Sequence, residues 1–552
     1  MAREEIIKLI EKSIKELQKA KKMPKFDIPE IKIEHPEEKI HGDYSTNIAM
    51  VIVKPVKKNP LEIAEIINNQ LLIINKKLKL FKKIEIAKPG FINFFLSKEY
   101  LQRQVDEILK QGEKFGNLNL GKNKKVQVEF ISANPTGPLT VGNARGGPFG
   151  DVLGNILEKA GFKVEKAYYI NDYGMQILAL GHSVLKDREA QYKGDYIDYL
   201  NKKIKEKDPY RAGEMAAKII IKEMIKKTTE RMGIKYDEWL SETALHQSSQ
   251  VDKVLKFLEK KDLVYEKEGA KWFKSTKYGD ERDRVLVKAD GWKTYLAGDI
   301  AYHRYKFEKK KFDKVIDIWG ADHYGDVAGL QGGVEALSHQ GKLDIILLQF
   351  VTILEKGIEK KISKRKGTYV AMDELLDEVG SDVTRFLFLQ KSADTHLNFD
   401  LALAKEQSEK NPVYYVQYAH ARICSILRKC GKFENRASEG SEGEDENGVL
   451  IAFRISNIEN LKLLSHPSEL ALIKQLIRFP EIIEDTAKDY QVQRLPQYAI
   501  DLATVFHQFY RDCKVLTQVR PVFEARLALI LATKIVLKNT LNLMGVTAPE
   551  KM

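Results

Sequence analysis

A segment rich in glycine and proline has the composition of a phosphate-binding turn. Residues 132–147 read SANPTGPLTVGNARGG and lie between a predicted strand and a predicted helix. Backbone N–H groups and the dipole at the start of a helix attract phosphate, and glycine lets the backbone approach a ligand closely. A purely structural turn would have the same composition, but we favour phosphate binding.

A second segment concentrates positive charge. Residues 361–368 read KISKRKGT and place four cations within six residues, around Ser363. Lysine ammonium groups are compact charges that can stabilise a polyphosphate as negative charge accumulates on it. Taken alone, such a run is usually a solvated surface loop, which is the alternative interpretation.

The elements that must position these segments form an alternating pattern. From Val126 onwards, strands alternate with helices, which predicts a parallel α/β sheet. The predicted strands are 126–131, 164–170, 315–319 and 345–350. Residues from about 185 to 285 are charged and predicted to be helical, which indicates an insertion into this domain. Ligands bind at the carboxyl ends of parallel strands, so the loop Gly320–His323 is a candidate contact.

Two further regions flank the α/β pattern. Residues 1–110 combine amphipathic helices with strand-like runs, which predicts a small α+β module. Residues 400–552 are helical almost throughout, which predicts an α-helical bundle. The acidic stretch 434–448 has almost no apolar residues, so we interpret it as a mobile surface insertion.

Composition narrows the class of protein. A chain of 552 residues is too long for one hydrophobic core and suggests roughly three to four domains. The formal charge of +13 favours a polyanionic partner such as nucleic acid, although a lysine-rich solvated surface is the alternative. The three cysteines form no CxxC pair, which argues against a thiolate zinc site; we predict no metal ligands and a reducing compartment.

The start of the chain does not resemble a targeting signal. Residues 1–22 mix glutamate with lysine and space their isoleucines and leucines at helical intervals, which predicts a core-facing amphipathic helix. No uncharged apolar run reaches membrane-spanning length. We therefore expect a soluble cytoplasmic protein without a membrane partner.

Together the two phosphate-binding candidates resemble the paired signatures of class I aminoacyl-tRNA synthetases. These are a His-Ile-Gly-His-like turn after the first strand and a Lys-Met-Ser-Lys-Ser-like loop after the last. Residues 361–365 match the second signature, with Ile for Met and Arg for the final Ser. In the first signature Gly142 is retained, whereas Thr140 and Asn143 stand where the histidines are usual.

Within that class, the chain resembles the arginyl-tRNA synthetases. The segments that carry this resemblance are 132–139, which precede the first signature, the N-terminal segments 42–50 and 88–95, the first bundle helix 411–422, and the last five residues, 548–552. The resemblance implies a Rossmann-like catalytic domain over 122–395, an N-terminal module that contacts transfer RNA, and an anticodon-binding bundle. It also implies ATP and arginine as substrates, Mg²⁺ with the ATP, tRNA(Arg) as partner and activation that requires the RNA. We expect a monomer.

The resemblance also assigns site residues. It implies catalytic roles for Lys361, Lys364, Thr140 and Asn143, and ATP contacts for Pro138, Gly142, Asn143, Asp322, Lys361, Ser363 and Lys364. The residues implied for arginine are Glu129, Asn134, Tyr295, Asp299 and His323. Because Thr140 is shorter than histidine and uncharged, we expect the helix start, Arg145 and the loop 361–364 to carry more of the phosphate stabilisation than in relatives with two histidines.

Structural alternatives accompany four of these assignments. Tyr295 could be a core residue and Asp299 a helix cap. Glu129 lies in an otherwise apolar strand, so it requires either a bound substrate cation or an internal lysine or arginine as partner. His323 could be bonded locally within a structural turn.

Two other functions are compatible with parts of this sequence. A non-catalytic RNA-binding relative is supported only by Thr140 and Asn143. Another class I synthetase is the second possibility. The cysteine enzyme normally carries a thiolate zinc site, the branched-chain enzymes need a large editing domain, and the glutamate enzyme would need cations where Tyr295 and Asp299 stand.

Overall fold

The computed structural model describes residues 1–359, 371–435, 458–516 and 519–552. The predicted basic loop, including Lys361, Ser363 and Lys364, lies outside the described residues. Most of the acidic stretch 434–448 also lies outside them.

The N-terminal region folds as the α+β module that the sequence predicts. Its opening helix, Ala2–Lys19, buries Ile6, Ile10, Ile14 and Leu17. Three antiparallel strands pair in the order Tyr44–Thr46, Phe91–Leu96, Phe81–Ala87. The other α-helices of the module are Ile48–Val51, Val53–Val56, Pro60–Leu78 and Lys98–Gln111.

A five-stranded parallel sheet forms the centre of the α/β domain, and we call it the central sheet. Its strands lie in the order Leu343–Leu348, Lys314–Gly320, Lys125–Phe130, Lys163–Ile170 and Glu238–Ser241. The strand Lys125–Phe130 is buried on both faces, as a middle strand covered by helices must be. The helices around this sheet are Val141–Ala144, Gly146–Lys159, Met175–Leu185, Tyr295–Arg304 and Val327–Ala336.

The insertion differs from the helical segment that its composition predicts. It contains the helices Asp195–Lys203, Pro209–Ile220, Lys226–Arg231, Glu242–Gln247 and Gln250–Lys260. However, Glu238–Ser241 is the fifth strand of the central sheet, where Trp239 stacks on Tyr168 with ring centroids 4.5 Å apart. A separate antiparallel sheet consists of Val264–Lys267, Ala270–Phe273 and Arg284–Val287. Such short strands are decided by tertiary pairing, because four residues carry too little periodicity to be recognised.

Beyond the central sheet, a small strand group leads into the helical region. The strand Val351–Glu355 pairs with Ile358–Glu359 and with Leu397–Asp400. The helices Met372–Leu389 and Leu401–Lys405 come after residues 360–370, which lie outside the described residues. The bundle helices are Pro412–Asn435, Pro467–Ile477, Phe479–Asp489, Arg494–Asp512 and Arg520–Met544. The predicted helical bundle is thereby confirmed.

One helix among the described residues, Arg520–Met544, is long and apolar enough to cross a membrane by length and composition alone. Inside the protein, 72% of its most apolar window is buried. That degree of burial is typical of the core helix of a bundle.

The N-terminal module is joined to the bundle by a buried carboxylate. Glu481 is 1% exposed and accepts a hydrogen bond from the Tyr44 hydroxyl at 3.0 Å. His35 Nε2 lies 2.8 Å from the same carboxylate. The two outer regions of the chain therefore meet beside the central sheet.

A candidate active-site cleft at the carboxyl edge of the central sheet

A cleft of about 630 Å³ opens at the carboxyl ends of three neighbouring strands of the central sheet. Its lining includes Glu129, Asp317, Gly320 and Leu348, which lie at or near the ends of those strands. This is the position at which open parallel sheets bind ligands. A more open cavity of about 900 Å³ lies between the N-terminal module and the bundle and includes none of these strand ends.

The turn after the first strand is built from strained backbone. Ile131 and Ser132 both have positive φ, at 67° and 39°, which non-glycine residues rarely adopt. In this conformation Ser132 Oγ donates to Glu129 Oε1 at 3.0 Å and accepts the Tyr169 N–H at 3.0 Å. The turn thus fixes Glu129 at the cleft wall, and Asn134 lines the cleft beyond it.

Some residues of the first signature line the cleft, and others lie at the start of the helix that follows. Gly142 and Asn143 are exposed and line the cleft. Thr140 is the N-cap of the helix Val141–Ala144: its Oγ1 donates to Asn143 Oδ1 at 2.6 Å and accepts the Asn143 N–H at 3.3 Å. Neither Thr140 nor Pro138 is among the described residues that line the cleft. The structure therefore assigns Thr140 a capping contact, and its proposed phosphate contact stays a prediction.

Arg145 does not occupy the position expected for a phosphate ligand. Its side chain is buried, and its guanidinium donates to the carbonyl oxygens of Gln349, Ser392 and Thr395. Burial lowers the pKa of Arg145 to about 10. The sequence expectation was wrong because a residue next to a signature helix can face the protein interior as readily as the cleft.

A buried charged network lies under one end of the cleft. Lys306 is completely buried, and its Nζ donates to Glu129 Oε2 at 2.7 Å and to Asp317 Oδ1 at 3.0 Å. His303 Nε2 lies 2.9 Å from Asp317 Oδ2. The internal lysine that was one of the two alternatives for Glu129 is therefore present, although Glu129 also lines the cleft.

Burial and charge oppose each other in this network. Burial raises the pKa of Glu129 above its ordinary value, although Lys306 partly offsets the shift. For Asp317, burial alone would raise the pKa, but Lys306 and His303 lower it to about 2. Burial lowers the pKa of Lys306, but Asp317 and Glu129 raise it by more, so that it lies above its ordinary value. Lys306 is therefore held as a cation between two carboxylates.

A second part of the cleft wall carries Asp299, and the carboxylate of Glu242 is buried next to it. Asp299 is half-buried in the middle of the helix Tyr295–Arg304, and Tyr295 is 48% exposed at its start. The N-cap position of that helix belongs to Thr294, so the capping alternative for Asp299 does not apply. An exposed Tyr295 likewise does not fit the alternative of a core residue. Burial, followed by the charges of Glu242 and Glu129, raises the pKa of Asp299 well above its ordinary value.

Glu242 completes this end of the site, and sequence reasoning missed it. Its side chain is 3% exposed, and burial raises its pKa to about 8. Among the described residues, Glu242 Oε2 and the hydroxyl of Tyr169 are buried without a hydrogen-bond partner. Buried polar groups are normally paired, so these two groups leave hydrogen-bonding capacity unused beside the cleft. His246 Nε2 lies 3.7 Å from Glu242 Oε1, but burial lowers the pKa of His246 to about 4, so it supplies no positive charge at neutral pH. A planar cation with several N–H groups would satisfy these acceptors.

The cleft mouth holds the loop that follows the strand Lys314–Gly320. Asp322 and His323 line the cleft and are well exposed, with His323 Nε2 3.7 Å from Asp322 Oδ2. His323 also lies 3.7 Å from Asp326 and packs edge-on near Trp319. Their local contacts are long, which leaves both side chains free to contact a ligand. Within the described ranges, no group of three or more His, Cys, Asp or Glu side chains could hold a metal ion.

A second candidate surface lies on the bundle. Tyr414 and Tyr418 stack with ring centroids 6.3 Å apart, and Tyr418 is 40% exposed. The guanidinium of Arg422 lies 4.6 Å from the ring centroid of Tyr510 and donates to the Tyr418 hydroxyl at 3.1 Å. Aromatic rings combined with arginine are the groups that stack unpaired nucleic-acid bases. We call Tyr414, Tyr418, Arg422 and Tyr510 the aromatic platform.

Three family models match consecutive parts of the chain. The arginyl tRNA synthetase N terminal domain matches residues 4–96. The catalytic domain of class I (R) tRNA synthetases matches 104–195 and 182–407. The DALR anticodon binding domain matches 416–552.

Individual proteins agree with these matches over the whole chain. An arginine–tRNA ligase of Caldanaerobacter subterraneus subsp. tengcongensis is 44% identical and covers 100% of this chain and 99% of the relative. One from Desulforamulus reducens is 43% identical and covers 96% of this chain and 95% of the relative. The structure of Thermus thermophilus arginyl-tRNA synthetase superposes with a TM-score of 0.76 over 100% of both chains. At 21% identity, this last likeness shows the fold alone.

Proposed function

The chain belongs to the family of class I arginyl-tRNA synthetases, and on that premise we propose which of its residues carry out the arginine–tRNA ligase reaction. The chain is an enzyme that joins arginine to transfer RNA, with ATP as a substrate. In the first step the arginine carboxylate attacks the α-phosphorus of ATP and pyrophosphate leaves. A terminal ribose hydroxyl of the RNA then attacks the adenylate carbonyl and releases AMP.

The excess of carboxylates over cations in the cleft carries this proposal. Asp299, Tyr169 and Tyr295 line the part of the cleft that takes the guanidinium, and the buried Glu242 carboxylate lies next to it, against Gly298 of the helix that carries Asp299. Glu129 and Asn134, which also line the cleft, take the α-ammonium, and His323 lines the same cleft and contributes to arginine binding. A permanently charged planar cation matches buried carboxylates better than lysine does, because it donates in a bidentate fork.

ATP occupies the part of the cleft that the signature turn borders. Gly142 and Asn143 are the exposed residues at the helix start, and Asp322 extends from the loop across the mouth. Lys361, Ser363 and Lys364, outside the described residues, would contact the phosphates, and Lys361 and Lys364 would stabilise the departing pyrophosphate. Thr140 caps the helix start, and Pro138 and Thr140 would contact ATP only if the side chains at this turn approach its phosphates, as the family resemblance implies. Mg²⁺ enters with ATP, and we assign it no protein ligand.

Transfer RNA spans the outer regions of the chain. We assign the module 1–110 and the bundle 400–552 to RNA contacts and residues 122–395 to catalysis. The aromatic platform supplies stacking surfaces for unpaired bases, and the net charge of +13 supplies affinity for phosphates. A single chain contains all of these parts, so we propose a monomer. The burial of the helix Arg520–Met544 supports a soluble protein, and we propose a cytoplasmic one.

The test is adenylate formation with purified full-length protein, ATP, transfer RNA and each of several amino acids. We expect arginine to support the reaction and lysine to fail at the same concentration. Glu242→Gln should reduce arginine use while leaving ATP affinity unchanged, because only the guanidinium end is altered. Equal use of arginine by Glu242→Gln and the unmodified enzyme would remove Glu242 from the site.

A further inference from the structure

Lys306 lies beneath the cleft and out of reach of any ligand in it. Its side chain is 0% exposed, whereas its two partners, Glu129 and Asp317, both line the cleft. The Nζ atom also lies 4.2 Å from the ring centroid of Tyr302, which closes the remaining side. Lys306 can therefore act on a substrate only through the carboxylates that it holds.

The segment that carries Lys306 is continuous with the segment that binds the other end of the substrate. The helix Tyr295–Arg304 presents Tyr295 and Asp299, and it continues into the π-helical turn Tyr305–Lys309. π-Helical turns are frequent at functional sites. Lys306 is the second residue of this turn, and its side chain reaches Glu129 and Asp317 on two strands of the central sheet.

A second set of contacts connects the residues proposed for the two ends of the arginine substrate. From Lys306, contacts continue through Asp317 to His303, whose Nδ1 lies 2.8 Å from the carbonyl oxygen of Asp299. The carboxylate at the ammonium end and the helix at the guanidinium end are thus held by one buried set of hydrogen bonds. Such a set restricts relative movement of the two ends.

We propose that Lys306 is a positioning residue for arginine binding, which holds the Glu129 carboxylate ionised and oriented towards the α-ammonium group. This inference rests on the proposed function, which places Glu129 at that group. Without Lys306, Glu129 and Asp317 would be neighbouring buried carboxylates, and one of them would take up a proton. Asp317 keeps His303 as a partner, so Glu129 is the one that loses its charge.

The experiment compares arginine with 5-guanidinopentanoate, which lacks only the α-amino group. Calorimetric titration of the full-length protein measures the affinity of both ligands for the unmodified enzyme and for Lys306→Met. We expect arginine affinity to fall at least about tenfold, and analogue affinity to fall less than about threefold. Arginine kinetics should show a raised KM with a smaller change in kcat.

Lys310→Met is the matched control. Lys310 directly follows the same π-helical turn and pairs with Glu165 and Glu238 at 2.9 and 3.2 Å, but it does not contact the residues under the cleft. We expect this variant to bind both ligands as the unmodified enzyme does. A loss at Lys310 equal to that at Lys306 would show that removal of any lysine of this segment disturbs the pocket, which contradicts the proposal.

The remaining outcomes separate the proposal from its premise. A folded Lys306→Met variant that loses both ligands equally would show that Lys306 supports the whole pocket and not the ammonium end. Equal affinity of the unmodified enzyme for the two ligands would instead refute the placement of Glu129 at the α-ammonium. If Lys306→Met does not fold, Lys306→Arg provides the test, because its longer guanidinium keeps the charge but displaces Glu129. A loss of affinity for arginine that exceeds the loss for the analogue supports the proposal. Equal changes in affinity for the two ligands overturn it.

Discussion

Gly298 leaves room for Glu242: a Cβ atom on Gly298 would lie 2.8 Å from Glu242 Oε1. The carboxylate therefore packs directly on the helix that carries Asp299, one residue further along. Because the conflicting atom is the far end of a flexible side chain, a methyl group at this position would move Glu242 and leave the backbone in place.

Gly298→Ala should separate stability from substrate binding. Alanine in a helix interior is favoured over glycine by about 0.5–1 kcal/mol, so the variant should unfold at the same temperature or higher. Displacement of Glu242 should raise the KM for arginine about tenfold, as expected for the loss of one charge-assisted hydrogen bond. Thermal unfolding and arginylation kinetics measure the two effects. A variant with unchanged arginine KM would show that Glu242 does not contact the substrate.

Arginine binding should release protons near neutral pH. The pKa of Glu242 is raised to about 8, so its carboxyl group holds a proton at pH 7 when the cleft is empty. Burial raises the pKa of Asp299 in the same direction. A guanidinium requires ionised carboxylates, so affinity should increase as the pH rises through about 8 and decrease below it. Calorimetry at pH 7 in buffers of different ionisation enthalpy counts the protons. Glu242→Gln should release fewer protons, and pH-independent binding would contradict protonation of Glu242 in the empty cleft.

Asp299→Asn should chiefly damage arginine use. Removing one carboxylate from a desolvated cation costs about 3–5 kcal/mol, which corresponds to a loss of two to four orders of magnitude in kcat/KM for arginine. ATP affinity should hardly change, because Asp299 belongs to the opposite end of the cleft. The unfolding temperature should be unchanged or raised, since asparagine has the same shape and replaces a carboxyl group whose ionisation the surroundings disfavour. Normal arginine kinetics would refute the assignment.

Thr140 should act through the helix start. Thr140→Val deletes the cap and should lower the free energy of unfolding by about 1 kcal/mol, whereas Thr140→Ser keeps the hydroxyl and should restore it. Denaturant unfolding of both variants tests this role. If Thr140 also contacts phosphate, as the family resemblance suggests, the valine variant should activate arginine more slowly than the unmodified enzyme even where both are fully folded. Equal stability of the valine and serine variants would exclude the capping role.

The aromatic platform should contribute to RNA binding and not to amino acid binding. Tyr418→Ala should weaken transfer RNA affinity by about 1–3 kcal/mol, the range for one stacked base. Arg422→Ala should weaken it as well and reduce its dependence on salt. Fluorescence titration at two salt concentrations measures both effects, and arginine affinity measured by calorimetry serves as the internal control. Unchanged RNA affinity in both variants would place the RNA on another surface.

Much of the site could be recognised from sequence because its signals are local. The strand Lys125–Phe130 and the turn that follows it are contiguous, so one stretch of chain carries both the element and its chemistry. Tyr295 and Asp299 are also one helical turn apart, and a spacing of four residues puts both side chains on one face. The strand order that brings these two segments to the same cleft was implied only by the family resemblance.

Tertiary structure alone decided the partners of the charged groups. Lys306 and Glu129 are separated by 177 residues, and nothing in either local sequence indicates which lysine the buried carboxylate meets. Glu242 joins the site because the short strand Glu238–Ser241 pairs at the sheet edge and delivers the helix that begins at Glu242. Arg145 faces the interior because three backbone carbonyls from distant loops converge on it. Local patterns determine which residues can do chemistry, whereas burial and pairing between distant segments determine which of them face the substrate.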